Sequence, residues 1–236
     1  MNLIRKGHGH AHRGVIGVES AIVMIAFVIV AAALAFVVLN MGFSTTQKAK
    51  TTIISGLSEA SSTLEVAGKV IGIACTTSAG SCGATPYLNA TGIPIKIASG
   101  GDSVDLDPTR TQVKYLSNSV EYDNIYVGTL NTTTPTSMES AFDDANTAGY
   151  TAAQDNPVDE NSVDRSLAFT YWSVSRGTQN SIIDEGEHAV LAVAFASADR
   201  PTSLDKMRVE IIVATGAPLT VERNVPTLTD LVTDLG

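Results

Sequence analysis

The hydrophobic pattern of this chain changes period twice along its length. From Ala21 to Leu39 no residue is charged or strongly polar. At about 1.5 Å per residue these positions make a helix of roughly 28 Å, close to the apolar thickness of a bilayer. The segment is apolar on every side, so lipid or other helices must surround it. A polar break, NMGFSTTQKAK, follows Leu39. Apolar residues then return at Ile53, Leu57, Ala60, Leu64, Ala67 and Ile71, a stripe at alternating spacings of four and three. That spacing predicts one continuous helix from Val15 to about Ile73, with Gly56, Gly68 and Gly72 weakening its intrinsic helicity.

Beyond residue 75 the period shifts from helical to alternating. β-Branched runs occur at Ile93–Ile97, Thr111–Leu116, Asn124–Leu130, Leu167–Val174, Ala189–Ala196, Lys206–Ala214 and Pro218–Glu222, separated by Gly, Pro, Asn and Asp turns. Seven short strands of this kind predict an antiparallel β-sandwich of immunoglobulin-like type. In Ala189–Ala196 the residues Leu191, Val193 and Phe195 share one side and small alanines the other. Thr136-x-x-Glu139 ahead of Met138, Ala141, Phe142 and Ala145 reads as a capping box opening a short helix that ends near Gly149. The expected fold class is therefore α+β. Residues 1–14 are a leader, 15–74 a helix, and 75–236 a sandwich head.

Charge sharpens this division. The formal charge is −9, and the first 14 residues hold Arg5, Lys6 and Arg13 with no acid, so removing those three cations leaves −12 for the rest. An acidic body lacks the basic stripe that nucleic-acid binding requires. Basic residues before an apolar run keep that end in the cytoplasm. His8, His10 and His12 alternate in the leader like a metal-binding tract, but a polar, weakly basic spacer accounts for them better. Cys75 and Cys82 enclose a short loop. In an exported chain an even cysteine count favours a disulfide, the alternative being two free thiols.

Glu19 is the odd residue of the apolar segment, since a carboxylate there is costly unless paired or protonated. Small residues four apart, Gly17/Ala21 and Ala31/Ala35, would let helices approach closely, although plain lipid exposure also accommodates them. Ala33-Leu34-Ala35 superficially offers a secretory cleavage site, but the apolar run continues past it.

Arg13-Gly14 followed by Val15-Ile16-Gly17-Val18-Glu19 resembles the class III signal of type IV pilins and archaeal flagellins (archaellins). The QKAK-T context after the apolar run resembles archaellins more than adhesive pilins. VEIIVATGAPLTVERNVPTL also resembles an archaellin C-terminal segment, Gly-x-x-Leu-Thr-x-Glu-Arg before a proline. The resemblance implies that a prepilin-type signal peptidase cuts between Gly14 and Val15, reading Arg13 on one side and Gly17 on the other. Glu19 would then be the fifth mature residue and would pair with the new α-amino group of Val15, on its own chain or a neighbour's. It further implies a homopolymeric extracellular filament for swimming, the archaellum, built from a membrane-inserted precursor and turned by a separate motor and ATPase. An adhesive type IV-like pilin, or a membrane-anchored surface binding domain, are the alternatives.

Candidate chemistry elsewhere is sparse. His188 lies near Asp184, Glu185 and Glu187, a group that a solvated turn explains. Asp102, Asp105 and Asp107 offer oxygen ligands without the spacing of an EF-hand loop, and the Asp155–Asp164 loop is similarly acidic. No phosphate-binding loop or nucleophile elbow occurs, so no enzymatic activity and no cofactor are expected. The sequons Asn89-Ala-Thr91 and Asn131-Thr-Thr133 are expected in loops and are candidate glycosylation sites.

Overall fold

The structure is a computed structural model that describes residues 13–61, 63–75, 86–131, 134–151, 156–159, 163–175 and 180–236. It divides into two units, 1–55 and 56–236. The first consists of most of helix α1 (Arg13–Ser61), 49 residues and about 73 Å at 1.5 Å per residue. No proline interrupts it, and its Ala, Leu and Met content offsets the lower helix propensity of Val and Ile.

The helix ends twelve residues before the predicted terminus at Ile73. The last part of the expected stripe is strand instead: β1 (Leu64–Val66) and β2 (Ile71–Cys75). Two physical reasons account for the correction. Leu64-Glu65-Val66 alternates as well as it fits a helical stripe, and Leu64 is buried. Gly72, a liability in a helix, has a use in a sheet. A Cβ there would lie 2.4 Å from Leu88 Cδ2 and 3.2 Å from Leu235 Cδ1, so its absence admits both leucines.

The head contains thirteen strands among the described residues. All seven predicted runs are present: β3 (Tyr87–Ile97), β5 (Gln112–Ser117), β7 (Tyr126–Thr129), β8 (Leu167–Val174), β10 (His188–Ala194), β11 (Lys206–Ile212) and β12 (Leu219–Asn224). Unpredicted, besides β1 and β2, are β4 (Val104–Asp105), β6 (Glu121–Tyr122), β9 (Ile182–Ile183) and β13 (Val232–Asp234). One sheet runs β13-β2-β3-β10-β8-β7 with β1 also on β3; a second runs β12-β11-β5-β6; β4 and β9 form a small ribbon. Pairing is mostly antiparallel, and the exception is the parallel pair β7 and β8. The β1–β3 register sets Glu65 opposite Lys96, and their side chains pair at 2.9 Å.

One core lies between the two large sheets. Leu191, Val193 and Phe195 share it with Val113, Tyr115, Val209 and Ile211, and the Tyr115 and Phe195 rings lie 5.0 Å apart. The opposite side of β10 is buried too. Its alanines Ala192 and Ala194 pack in a second core with Phe142 and Ala145 of α2 (Met138–Thr147). Small side chains on that side leave room for a helix. Phe142 meets Phe169 edge-on at 5.1 Å. The predicted short helix, inserted between β7 and β8, therefore packs as a third layer. Its cap is Ser137 rather than Thr136: the Ser137 hydroxyl accepts from Ser140 N at 3.1 Å, and Ser137 N donates to Ser140 Oγ at 3.2 Å.

Candidate functional site

The head buries most of its large hydrophobic residues, and α1 does not. Of the large apolar side chains that stand exposed among the described residues, most lie on α1, with Phe27 and Leu39 each 72% exposed. The exposed helix runs from Gly17 to Leu57, 41 residues or about 61 Å, apolar apart from the polar break after Leu39, with none of its most apolar window buried. That is roughly twice the hydrocarbon thickness of a bilayer. A surface of this size is far beyond what a soluble monomer exposes, and it marks an interaction site.

The small residues singled out in the sequence sit on this surface. Gly17 has no neighbouring atom within 4 Å of where a Cβ would be, and Ala21, Ala31 and Ala35 are exposed. Nothing fills the space above them, so a second helix can approach there. Gly14 and Val15 lie in the first turn of α1. The leader, 1–12, falls outside the described residues, and with it His8, His10 and His12. Glu19 is exposed, flanked along the helix by Val23, Met24 and Phe27, which line a shallow groove with it. It stands four residues beyond Val15, hence on the same side of the helix and about 6 Å along it.

The sequence reading overlooked the threonines of the polar break. Thr45 and Thr46 donate their hydroxyls to the carbonyls of Met41 and Gly42, both at 2.8 Å. Thr51 and Thr52 donate to Gln47 and Lys48 at 2.6 and 2.9 Å. With their protons used inside the helix, these side chains can be covered by apolar neighbours without leaving an orphaned donor. The signal was available, since paired threonines on an apolar helix have the preceding turn as their nearest acceptors. What looked like a break between membrane and stalk is thus compatible with burial.

Cys75 ends β2 and is buried, and no described cysteine is free; Cys82 lies outside the described residues. The two sequons differ. Asn89 is within β3 and only 2% exposed, not in a loop, so its amide is withdrawn from any modifying enzyme and the expectation of a glycan there is corrected. It resembled a loop because Asn and Pro flank the Ala-Thr-Gly stretch, whereas the long β3 is held on both sides by β2 and β10. Asn131 follows β7 and is exposed; Thr133 of its sequon lies outside the described residues.

The acidic groups turn out to be engaged by the chain itself. Asp107 Oδ1 accepts from Thr109 N and Oγ1 at 2.9 and 2.6 Å, and these hydrogen bonds, chiefly the hydroxyl's, hold its carboxyl below the usual range. Asp105 Oδ1 accepts from Asp107 N at 3.0 Å, and its Oδ2 lies 3.6 Å from Arg110. Near His188, the buried Glu187 turns back so that Oε2 accepts from Asp184 N at 3.1 Å. In the Asp155–Asp164 loop, Asn156 is buried and donates to Asp143 Oδ1 and to the Glu139 carbonyl, tying the loop to α2. Among the described residues no group of three His, Cys, Asp or Glu side chains is placed to hold a metal.

Comparison with known proteins agrees with this division. The family model for archaeal-type flagellin matches residues 14–223. "Probable flagellin 1" of Aeropyrum pernix is 37% identical over 214 residues, covering 91% of this chain and 92% of the relative. Among solved structures, the archaeal flagellum of Methanospirillum hungatei strain JF1 superposes with a TM-score of 0.54 at 22% identity, over 90% of this chain and 95% of that one. The crystal structure of flagellin FlaB1 from Methanocaldococcus jannaschii gives 0.55 at 18% identity, covering 74% and 96%. The first match extends over nearly the whole chain, a long N-terminal helix followed by a mostly antiparallel β domain, and the second over about three quarters of it.

Proposed function

This chain belongs to the archaeal-type flagellin family, and from that premise we propose that it is the structural subunit of an archaellum, polymerising into the extracellular filament used for swimming. Its work is assembly rather than catalysis. The observation that carries the reading is the uncovered apolar surface of α1 from Gly17 to Leu57, beside a head whose own cores are complete. Such a helix needs an apolar environment, and copies of itself supply one over its whole length. The α1 helices form the filament core and the acidic heads its outer surface, where like charge keeps filaments apart.

The precursor waits in the membrane with its basic leader on the cytoplasmic side. A prepilin-type signal peptidase cuts between Gly14 and Val15, with Arg13 and Gly17 as flanking recognition residues. The amine so created on Val15 pairs with Glu19, and Ala21, Ala31 and Ala35 with Gly17 set the close helix contacts. Cys75 and Cys82 form a short-loop disulfide in the head, and Asn131 carries a glycan. Torque comes from a separate motor and ATPase that act on the filament indirectly. Mass spectrometry of subunits from surface filaments tests the reading. A mature N-terminus at Val15 supports it, and one at Met1 or near Phe36 refutes it.

A further inference from the structure

The head also carries a surface patch that its own fold leaves uncovered. β13 is an edge strand paired only with β2, Val232 standing opposite Ile73 and Asp234 opposite Ile71. Leu235 packs inward, while Ile71, Leu231 and Val232 are 36%, 47% and 56% exposed. Ile71 shares its side of the sheet with Met138, since a Cβ on Gly92 would contact both. Val232 stands opposite Ile73, which packs with Met138, so Ile71 and Val232 form a small apolar shelf on the α2 side of the sheet edge, whereas Leu116, Val174 and Leu204 are exposed on separate elements. Two acids border the shelf. Asp234 pairs with Lys69, and Asp230 has the Thr229 hydroxyl at 3.2 Å.

The chain holds a complement to this shelf. On α1, Phe43, Lys50 and Ile54 follow one another at helical spacings of seven and four and so share a side, and all are exposed. Lys48 and Lys50 have no carboxylate within ion-pair distance among the described residues. They are the only cations of α1 beyond Arg13.

We propose that the β13 shelf of one subunit docks on the Phe43–Ile54 face of α1 of a second copy, with Asp230 paired to that copy's Lys50. The proposal rests on the filament reading and adds which face of the head touches which part of a neighbour. Apolar residues meet apolar residues, and an acid at the rim meets a cation at the rim. Val232 and Ile71 stay exposed among the described residues, and the lysine needs a counter-ion once water is excluded around it. The acceptors of the threonine hydroxyls also make this part of α1 suited to a packed contact.

The experiment uses full-length subunits assembled from an equal mixture of 15N-labelled wild-type chains and unlabelled chains carrying a benzophenone amino acid in place of Val232. After irradiation, mixed-isotope crosslinks from position 232 to residues 43–57 are expected. Asp230→Lys should lower filament mass by about tenfold, the size of a rim ion pair reversed, and Lys50→Asp in the same chain should restore it. An unchanged melting temperature of Asp230→Lys would show that the head still folds. Filaments whose crosslinks run within one chain or to a neighbour's head overturn the proposal and leave the filament reading intact, as does a neutral Asp230→Lys. If wild-type subunits form no filament under any condition, the filament reading falls and this proposal with it.

Discussion

Glu19 provides the sharpest test of how the two units share the work. It is the only acid between Arg13 and Leu57 in a helix otherwise almost free of charge. It belongs to the unit outside the head, and the residues that line the groove with it are Ser20, Val23, Met24 and Phe27 of its own helix. Glu19→Ala should therefore leave the melting temperature of the head unchanged to within a degree or two, as surface substitutions do. Assembly is different, because on the proposed reading the carboxylate and the Val15 amine, carried by residues about 6 Å apart along the helix axis, would be enclosed together. Removing one partner of an enclosed ion pair leaves the other charge uncompensated, which typically costs about 3–5 kcal/mol, or a factor of roughly 10² to 4 × 10³ in an equilibrium constant. The subunit concentration at which filaments persist should rise by that factor, read by sedimentation and electron microscopy of cleaved subunits. Glu19→Gln separates charge from shape. It retains size and hydrogen-bonding capacity, so a defect as large as that of the alanine variant assigns the effect to charge. Filament yield unchanged in both variants would refute the pairing.

Two further outcomes follow from the head. Phe142→Ala empties the contact with Phe169 beneath α2, and a buried aromatic lost in this way costs about 3–5 kcal/mol, so the thermal midpoint should fall by about 6–20 °C in a unit of this size. Burial pushes Tyr126 and Tyr171 up to about 12 and Tyr115 higher still, so the folded head favours their neutral forms. That contribution is complete below the ordinary tyrosine value near 10 and is lost as pH rises through the raised values. Tyrosinate absorbance from these rings should accordingly appear only with the loss of circular dichroism, and ionisation of all six tyrosines near pH 10 in an intact head would contradict their burial.

The legible parts of the sequence were those where one period dominates. Lys206–Ile212 alternates cleanly because one side of β11 faces the core and the other faces water, and Leu167–Val174 is bounded by turn residues at both ends. The helix was legible to about Leu57 for the same reason. It was misread beyond Ser61 because Leu64, Ala67 and Ile71 fit a period of 3.5 while Leu64 with Val66 and Ile71 with Ile73 supply a period of two. Only the partners decide between the two, and these are distant: β3 for both strands and, for β2, the last residues described. Local sequence cannot announce that the chain end will return as β13. Asn89 fails similarly. A sequon reports composition, and burial depends on strands β2 and β10 laid against it. The assembly surface was visible as an apolar run, but its continuation through the threonines needed the hydroxyl geometry.

The length of that surface bears on what drives assembly. Gly17–Leu57 spans about 61 Å, and a bilayer covers roughly 30 Å of it. With Ala21–Leu39 in lipid before assembly, those side chains exchange hydrocarbon for protein and gain packing but little hydrophobic free energy. Met41, Phe43, Ile53, Ile54 and Leu57 lie beyond the lipid and exchange water for protein, which for large apolar side chains is worth about 1.5–3 kcal/mol each when burial is complete. The outer part of α1 should thus contribute most of the favourable transfer, and the inner part the close fit. Two substitutions of the same chemistry separate these contributions, because Ile25 and Ile53 are similarly exposed in the single chain, at 60% and 69%. Ile53→Ala should raise the subunit concentration needed for filaments by about tenfold or more, and Ile25→Ala by clearly less, since lipid already shelters its side chain before assembly. Equal effects of the two, measured on subunits reconstituted in the same bilayer, would refute the division and place the driving force in helix packing along the whole of α1.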